Sequence, residues 1–194
     1  MTFTALPAGA GWRHGGSRAG FEACAFTRRD GGYLAVGSTS AIEGEGAWWV
    51  QYEIVLDTTF TTRRAVVRGG STPQPAQPRV IEADGHGHWL VDGHGVPELE
   101  GCLDIDLESS AMTNTLALRR LRLGTGDSAP ASAAYVRVEG LAVERLEQEY
   151  ARRPDGSRGP VTDYRAPAFS FRCLIEYDWS GLVVDYPGIA QRVG

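Results

Sequence analysis

Asp104 and Asp106 stand two residues apart, and Arg119, Arg120 and Arg122 follow them closely. Carboxylates so spaced can divide acid and base work. Glycoside hydrolysis needs two carboxyl groups about 5–9.5 Å apart, and alternate residues of one strand reach the short end of that range. Asp92, Glu98 and Glu100 widen the choice, with Glu100 a candidate for the partner whose pKa must be raised. The same charges can instead form a polar network in which charge-assisted hydrogen bonds orient a sugar or hold the fold. Deep burial of such a network is costly unless every group is satisfied, so a half-buried place at a cleft rim is expected.

His86, His88 and His94 have the residue type for zinc, and His86 and His88 would share a strand face. All three lie among glycines beside turns, where solvated histidines are the plainer reading, and no metal is expected. The chain has no GxSxG elbow, no glycine-rich phosphate loop and no HExxH. No catalytic residue is therefore assigned, and no cofactor is expected.

Strands must position these groups. Leu103, Ile105 and Leu107 alternate with Cys102, Asp104 and Asp106, the period of a half-buried strand. Residues 109–113 are turn-prone, and residues 114–123 resume a partly alternating pattern. The expectation is a hairpin that sets the two aspartates against the arginines across a ladder.

The same rhythm runs through the chain. Residues 21–28 and 33–38 flank Asp30-Gly31-Gly32, a hairpin turn signal. In residues 48–57, Val50, Tyr52, Ile54 and Leu56 share one face and Gln51, Glu53 and Asp57 the other. Gly69-Gly70 reads as a turn, and residues 71–78, with three prolines, read as an exposed loop. Residues 141–150 would pass as a helix by propensity, but one strand every eight to twelve residues favours two strands, over residues 134–139 and 141–152. Phe169, Phe171, Cys173, Ile175 and Tyr177 form the inward stripe of a last long strand. So many short strands must curl or close to protect their edges. The expected fold is all-β, an open barrel or roll with little or no helix, as one domain over residues 1–194 with residues 1–20 a loose lead-in.

Composition narrows the function classes. A hydrophobic fraction of 42% with 22% charged residues suits a folded globule rather than a disordered chain or coiled coil. The net charge of -5 carries no basic stripe for nucleic acid, although all 19 basic residues are arginine. Cys24, Cys102 and Cys173 have no CxxC spacing and read as reduced thiols. No membrane span is expected, since no run of apolar residues is long enough. The first 21 residues lack a charged segment followed by an apolar run, so the expected compartment is the cytoplasm. Adjacent Trp48 and Trp49 cannot both face one core, and a tryptophan outside it can stack on a sugar or cover an acyl chain.

The strings WLVDG, LEGCLDIDL, TNTLALRRL and GLVVDYPG, in that order and preceded by DTTFTTRR, resemble the bacterial “Putative glycolipid-binding” family from about Trp48 to Val193. Phe60 stands where the family pattern leads us to expect tryptophan. The resemblance implies an all-β spiral roll, similar in general shape to lipoprotein-localisation carriers, with a cleft for an amphiphile. Among the motif positions, it points to Trp89, Asp92, Asp104, Asp106, Thr113, Asn114, Arg119, Arg120 and Tyr186 as ligand-binding. The reading favoured is a soluble binding protein for a glycolipid or related amphiphile, held in an apolar cleft with a polar Asp/Arg rim. A carboxylate-dependent hydrolase and a packed structural module without a ligand are the alternatives.

Overall fold

The computed structural model describes residues 2–71 and 75–193. Apolar alternation places a long antiparallel meander first: β1 (Gly9–His14), β2 (Arg18–Arg29), β3 (Gly32–Glu43), β4 (Gly46–Asp57), β5 (Thr62–Ser71), β6 (Ala76–Ala83), β7 (Trp89–Val91) and β8 (His94–Gly95). The chain then crosses inward to β9 (Asp104–Leu107) and the helix α1 (Asn114–Leu121). It returns through β10 (Ser128–Pro130), β11 (Ala133–Val136), β12 (Val143–Leu146), β13 (Glu149–Arg153), β14 (Val161–Ala166), β15 (Phe171–Tyr177), β16 (Val183–Tyr186) and β17 (Ala190–Val193).

Because β17 pairs with β1, the two halves join into one 14-stranded rolled sheet, ordered β10-β13-β14-β15-β16-β17-β1-β2-β3-β4-β5-β6-β7-β8. The sheet stays open, ending at β8 and β10. A second sheet, β12-β11-β9, contains the parallel pair β9·β11. In β4, Trp48, Val50, Tyr52, Ile54 and Leu56 are buried while Gln51 and Glu53 are exposed, as the period of two requires. These side chains share one core with Ile105 and Leu107 of β9 and with Leu116 and Leu118 of α1. The helix and inner sheet thus supply much of the packing inside the roll.

The all-β roll agrees with the sequence; β11 overlaps the first of the two strands expected after residue 132, and the second, over residues 141–152, is extended rather than helical but divided into β12 and β13. Four local expectations are corrected. Residues 114–121 are helix, not strand. Their first six residues are all buried, so an apolar period cannot mark one face; leucine, alanine and arginine are also strong helix formers. The lead-in contains β1, which is hydrogen-bonded to β2 and β17. Gly69 and Gly70 lie inside β5, where a Cβ on Gly69 would come 2.0 Å from the Trp49 carbonyl oxygen. Of the proline-rich segment, residues 72–74 lie outside the described residues, but Pro78 belongs to β6. It sits beside the register shift between Val67 and Gly69, a bulge where the ladder can tolerate its missing N–H.

Candidate functional site

Between the inner sheet and the β14–β17 side of the roll lies a cleft of about 300 Å3. Its polar wall is built by β9, the following loop and the start of α1, which present Asp106, Glu108, Ser110 and Asn114. Tyr164, Phe171 and Tyr186 also line the cleft, packed edge to face with centroids 5.9–6.3 Å apart. Tyr135 and Phe169 form a second aromatic pair at 5.6 Å, and Arg18 and Arg137 complete the mouth. Aromatic faces beside fixed acceptors and donors suit a sugar ring, which has apolar faces and a hydroxyl edge.

Asp106 is the chemical centre of this cleft. Its Oδ1 accepts from the Thr113 hydroxyl at 2.6 Å and its Oδ2 from Gln148 Nε2 at 2.5 Å. Burial pushes its pKa up to about 6, partly opposed by the hydrogen bonds from Thr113 and Gln148. Gln148 also donates to Tyr164 Oη at 3.0 Å, tying the carboxylate to the aromatic wall. Asn114 is held from behind, its Oδ1 accepting from Tyr150 Oη at 2.8 Å. Burial drives the Tyr164 and Tyr186 phenols well above their usual pKa, so both remain protonated at neutral pH.

A second polar cluster backs the wall. The fully buried Glu22 accepts from Ser110 Oγ, from Tyr52 Oη at 2.8 Å and from the Ala111 N–H at 2.8 Å, with His14 Nε2 3.3 Å away. It anchors the loop after β9 to β2, so Ser110 faces the cleft from a rigid support.

The nine residues singled out by the resemblance fall in different places. Asp106, Asn114 and Tyr186 line the cleft, and Thr113 holds Asp106. Asp104 instead takes a bidentate contact from Arg120, and Arg119 donates to the carbonyls of Ser180 and Thr4 with its guanidinium 4.2 Å from the Phe60 ring centroid. Trp89 is buried and donates to the Cys102 carbonyl at 2.8 Å. Asp92 sits at the β7–β8 turn, accepting from Arg79 and the Val80 N–H. Glu100 is exposed beyond the 3-10 turn at Pro97–Leu99 and does not line the cleft. The charges of β9 and α1 therefore meet as expected only at Asp104 and Arg120, because strand and helix send adjacent arginines in different directions.

Sequence reasoning missed Arg18, Ser110, Tyr135, Arg137, Gln148, Tyr164 and the cleft role of Phe169 and Phe171. They come from six separate stretches, and only the aromatic content of the last strand hinted at one of them. Among the described residues, no group of three or more His, Cys, Asp or Glu is arranged to hold a metal. His88 Nδ1 instead lies 2.7 Å from Asp84 at the surface. Nor does any described helix have the length and apolarity to cross a membrane. A wider depression of about 590 Å3 lies across β1–β5, lined largely by small residues such as Ala23, Ala25 and Gly37, without a buried carboxylate like Asp106 facing it.

A DUF1089 family protein from Pseudomonas aeruginosa, known from its crystal structure, shares 30% identity over 100% of both chains, with a TM-score of 0.75. A beta-barrel-like protein of the DUF1849 domain of unknown function from Brucella abortus shares the fold, with a TM-score of 0.59 at 10% identity over 99% of this chain and 98% of that one. No curated protein matches the sequence. The family described as “Putative glycolipid-binding” matches residues 10–192, nearly the full span of the roll, and the chain belongs to that family.

Proposed function

We propose that the protein binds an amphiphile with a hydroxyl-rich head group, such as a glycolipid. The head occupies the cleft, with hydroxyls against Asp106, Asn114 and Ser110 and a ring face against Tyr186 and Phe171. The observation that carries this reading is the meeting, in one cleft, of a carboxylate held by Thr113 and Gln148 with two groups of aromatic rings. The family description supports a binding role. A cleft of about 300 Å3 is at the small end of ligand sites, so the acyl part extends outward past Phe169. Thr113 acts as a positioning residue, whereas Trp89, Asp92, Asp104, Arg119 and Arg120 hold the fold around the site.

Native mass spectrometry of gently purified protein, followed by solvent extraction, tests the reading directly. A stoichiometric adduct of glycolipid mass is expected, and Tyr186→Ala should lose it while retaining a cooperative melting curve. Bare chain mass in repeated preparations, with no binding of added short-chain glycolipids, would overturn the proposal. A carboxylate-dependent hydrolase is the second reading, favoured by Asp106 having a pKa near neutrality in a cleft. Under that reading Asp106→Asn abolishes turnover of a glycoside but retains its binding.

A further inference from the structure

A second concavity, of about 280 Å3, lies beyond the C-terminal end of α1, whereas the cleft lies at its N-terminal end. Leu123 and Thr125, just after the helix, line it together with Arg152 of β13, Asp155 and Trp179, and it shares no lining residue with the cleft. The eight residues of α1, at about 1.5 Å each, hold the two spaces apart.

Each wall is fixed by the fold. Asp178 Oδ1 accepts from the Ser180 N–H at 2.8 Å and the Leu182 N–H at 3.1 Å, and the Trp179 carbonyl accepts from the Thr4 N–H at 2.9 Å, so the turn carrying Trp179 is held in place. Its indole is nevertheless 50% exposed. The loop after α1 is clasped to β13, the Gly126 N–H donating to the Arg152 carbonyl at 2.9 Å and the Arg152 N–H to the Asp127 carbonyl at 2.8 Å. The Arg152 side chain is buried; its Nη1 donates to the Val161 carbonyl at 3.1 Å and its Nη2 to Asp155, whose own side chain is 46% exposed. Arg152 Nε is buried with no partner among the described residues. Buried donors of this kind are rare, and a bound molecule or water completes them.

We infer that this concavity is a second saccharide site, separate from the cleft, which takes one neutral sugar ring with a face on Trp179 and hydroxyls against Asp155, Arg152 and Thr125. A pyranose carries C–H groups on its faces and hydroxyls at its edge. It therefore needs what these walls supply, an indole face in water beside fixed donors and acceptors. Arg152 and Asp155 offset each other's charge, and the more exposed Asp155 repels an anion, which sets a neutral ligand ahead of a phosphate or carboxylate. At about 280 Å3 the space is at the small end for ligand sites, which suits a single ring. The inference stands on these walls and not on the amphiphile reading of the cleft.

NMR titration of the full chain tests it. Trp179→Ala identifies which of the five indole N–H signals belongs to Trp179. Methyl glucoside, methyl galactoside and methyl N-acetylglucosaminide, added in turn to wild type and to Tyr186→Ala, should shift that signal saturably for at least one sugar, and equally in both proteins. Followed at the Thr125 amide, Trp179→Ala should weaken the affinity about 10-fold, the loss of a stacking face. Asp155→Asn, which keeps the shape of an exposed side chain, should weaken it too. Glucose 6-phosphate should bind less tightly than methyl glucoside. No saturable shift with any of the three sugars would overturn the site, as would an affinity unchanged by Trp179→Ala or tighter binding of the phosphate. A shift present in wild type and lost in Tyr186→Ala would assign the sugar to the cleft and leave no second site. Retention of the shift by a wild-type chain that binds no glycolipid would keep this site and remove the amphiphile reading.

Discussion

Arg120 clamps Asp104 with two hydrogen bonds, Nε to Oδ1 at 2.8 Å and Nη2 to Oδ2 at 2.6 Å, joining the last turn of the inner helix to the inner sheet. Asp104 is almost completely buried, and burial raises its pKa despite the opposing pull of Arg120. Arg120→Met should therefore strand a buried acid and destabilise the protein by about 3–5 kcal/mol. Asp104→Leu combined with Arg120→Met should recover much of that loss. Urea denaturation of the two variants checks the sign of the difference; a single-variant cost below about 1 kcal/mol, the level of an exposed pair, would contradict it.

Asp106 should make stability depend on acidity. Its folded pKa, about 6, lies above the usual carboxylate value, so the folded state binds the proton more tightly. The resulting contribution is complete below about pH 4 and is lost as pH rises through 6, amounting to about 2–3 kcal/mol. Asp106→Asn should flatten this part of the profile. Thermal midpoints of wild type and variant across that window isolate the contribution, because other carboxylates are common to both.

Glu22 accepts hydrogen bonds from Tyr52, Ser110 and the Ala111 N–H, with His14 alongside. Glu22→Gln replaces part of this acceptor with an amide donor and should cost about 3 kcal/mol or more. Since Ser110 then loses its support at the cleft wall, affinity for a short-chain glycolipid should fall too. Calorimetric titration below the variant's melting temperature separates the two effects; unchanged affinity with intact stability would sink the argument.

Gly37 leaves room for the same cluster. A Cβ at this position would lie 2.4 Å from both Cζ and Oη of Tyr52. Gly37→Ala should push the phenol away from Glu22 and destabilise the protein by about 1–3 kcal/mol, the usual cost of overpacking. Tyr52→Phe in the Gly37→Ala background should relieve part of the clash. Equal melting temperatures for wild type and Gly37→Ala would count against so tight a fit.

Local alternation determines strand direction wherever one face of the sheet meets water. For that reason β2, β3 and β4 were legible in the sequence, together with the open all-β roll and the family motif. Within that motif the strand ending at Leu107 was legible as well, but residues 114–121, expected as a strand, are helix. Inside the roll, α1 is covered nearly all round, so polar and apolar positions are buried alike and the period loses its meaning. The cleft depended still more on assembly. Asp106, Gln148, Tyr164 and Tyr186 are scattered along the chain, and neighbours in sequence such as Arg119 and Arg120 leave the helix toward different partners. Composition and periodicity determined that a β-roll forms; only the packing of the inner helix against the rolled sheet decided which carboxylate was clamped within the fold and which was left facing a ligand-sized space.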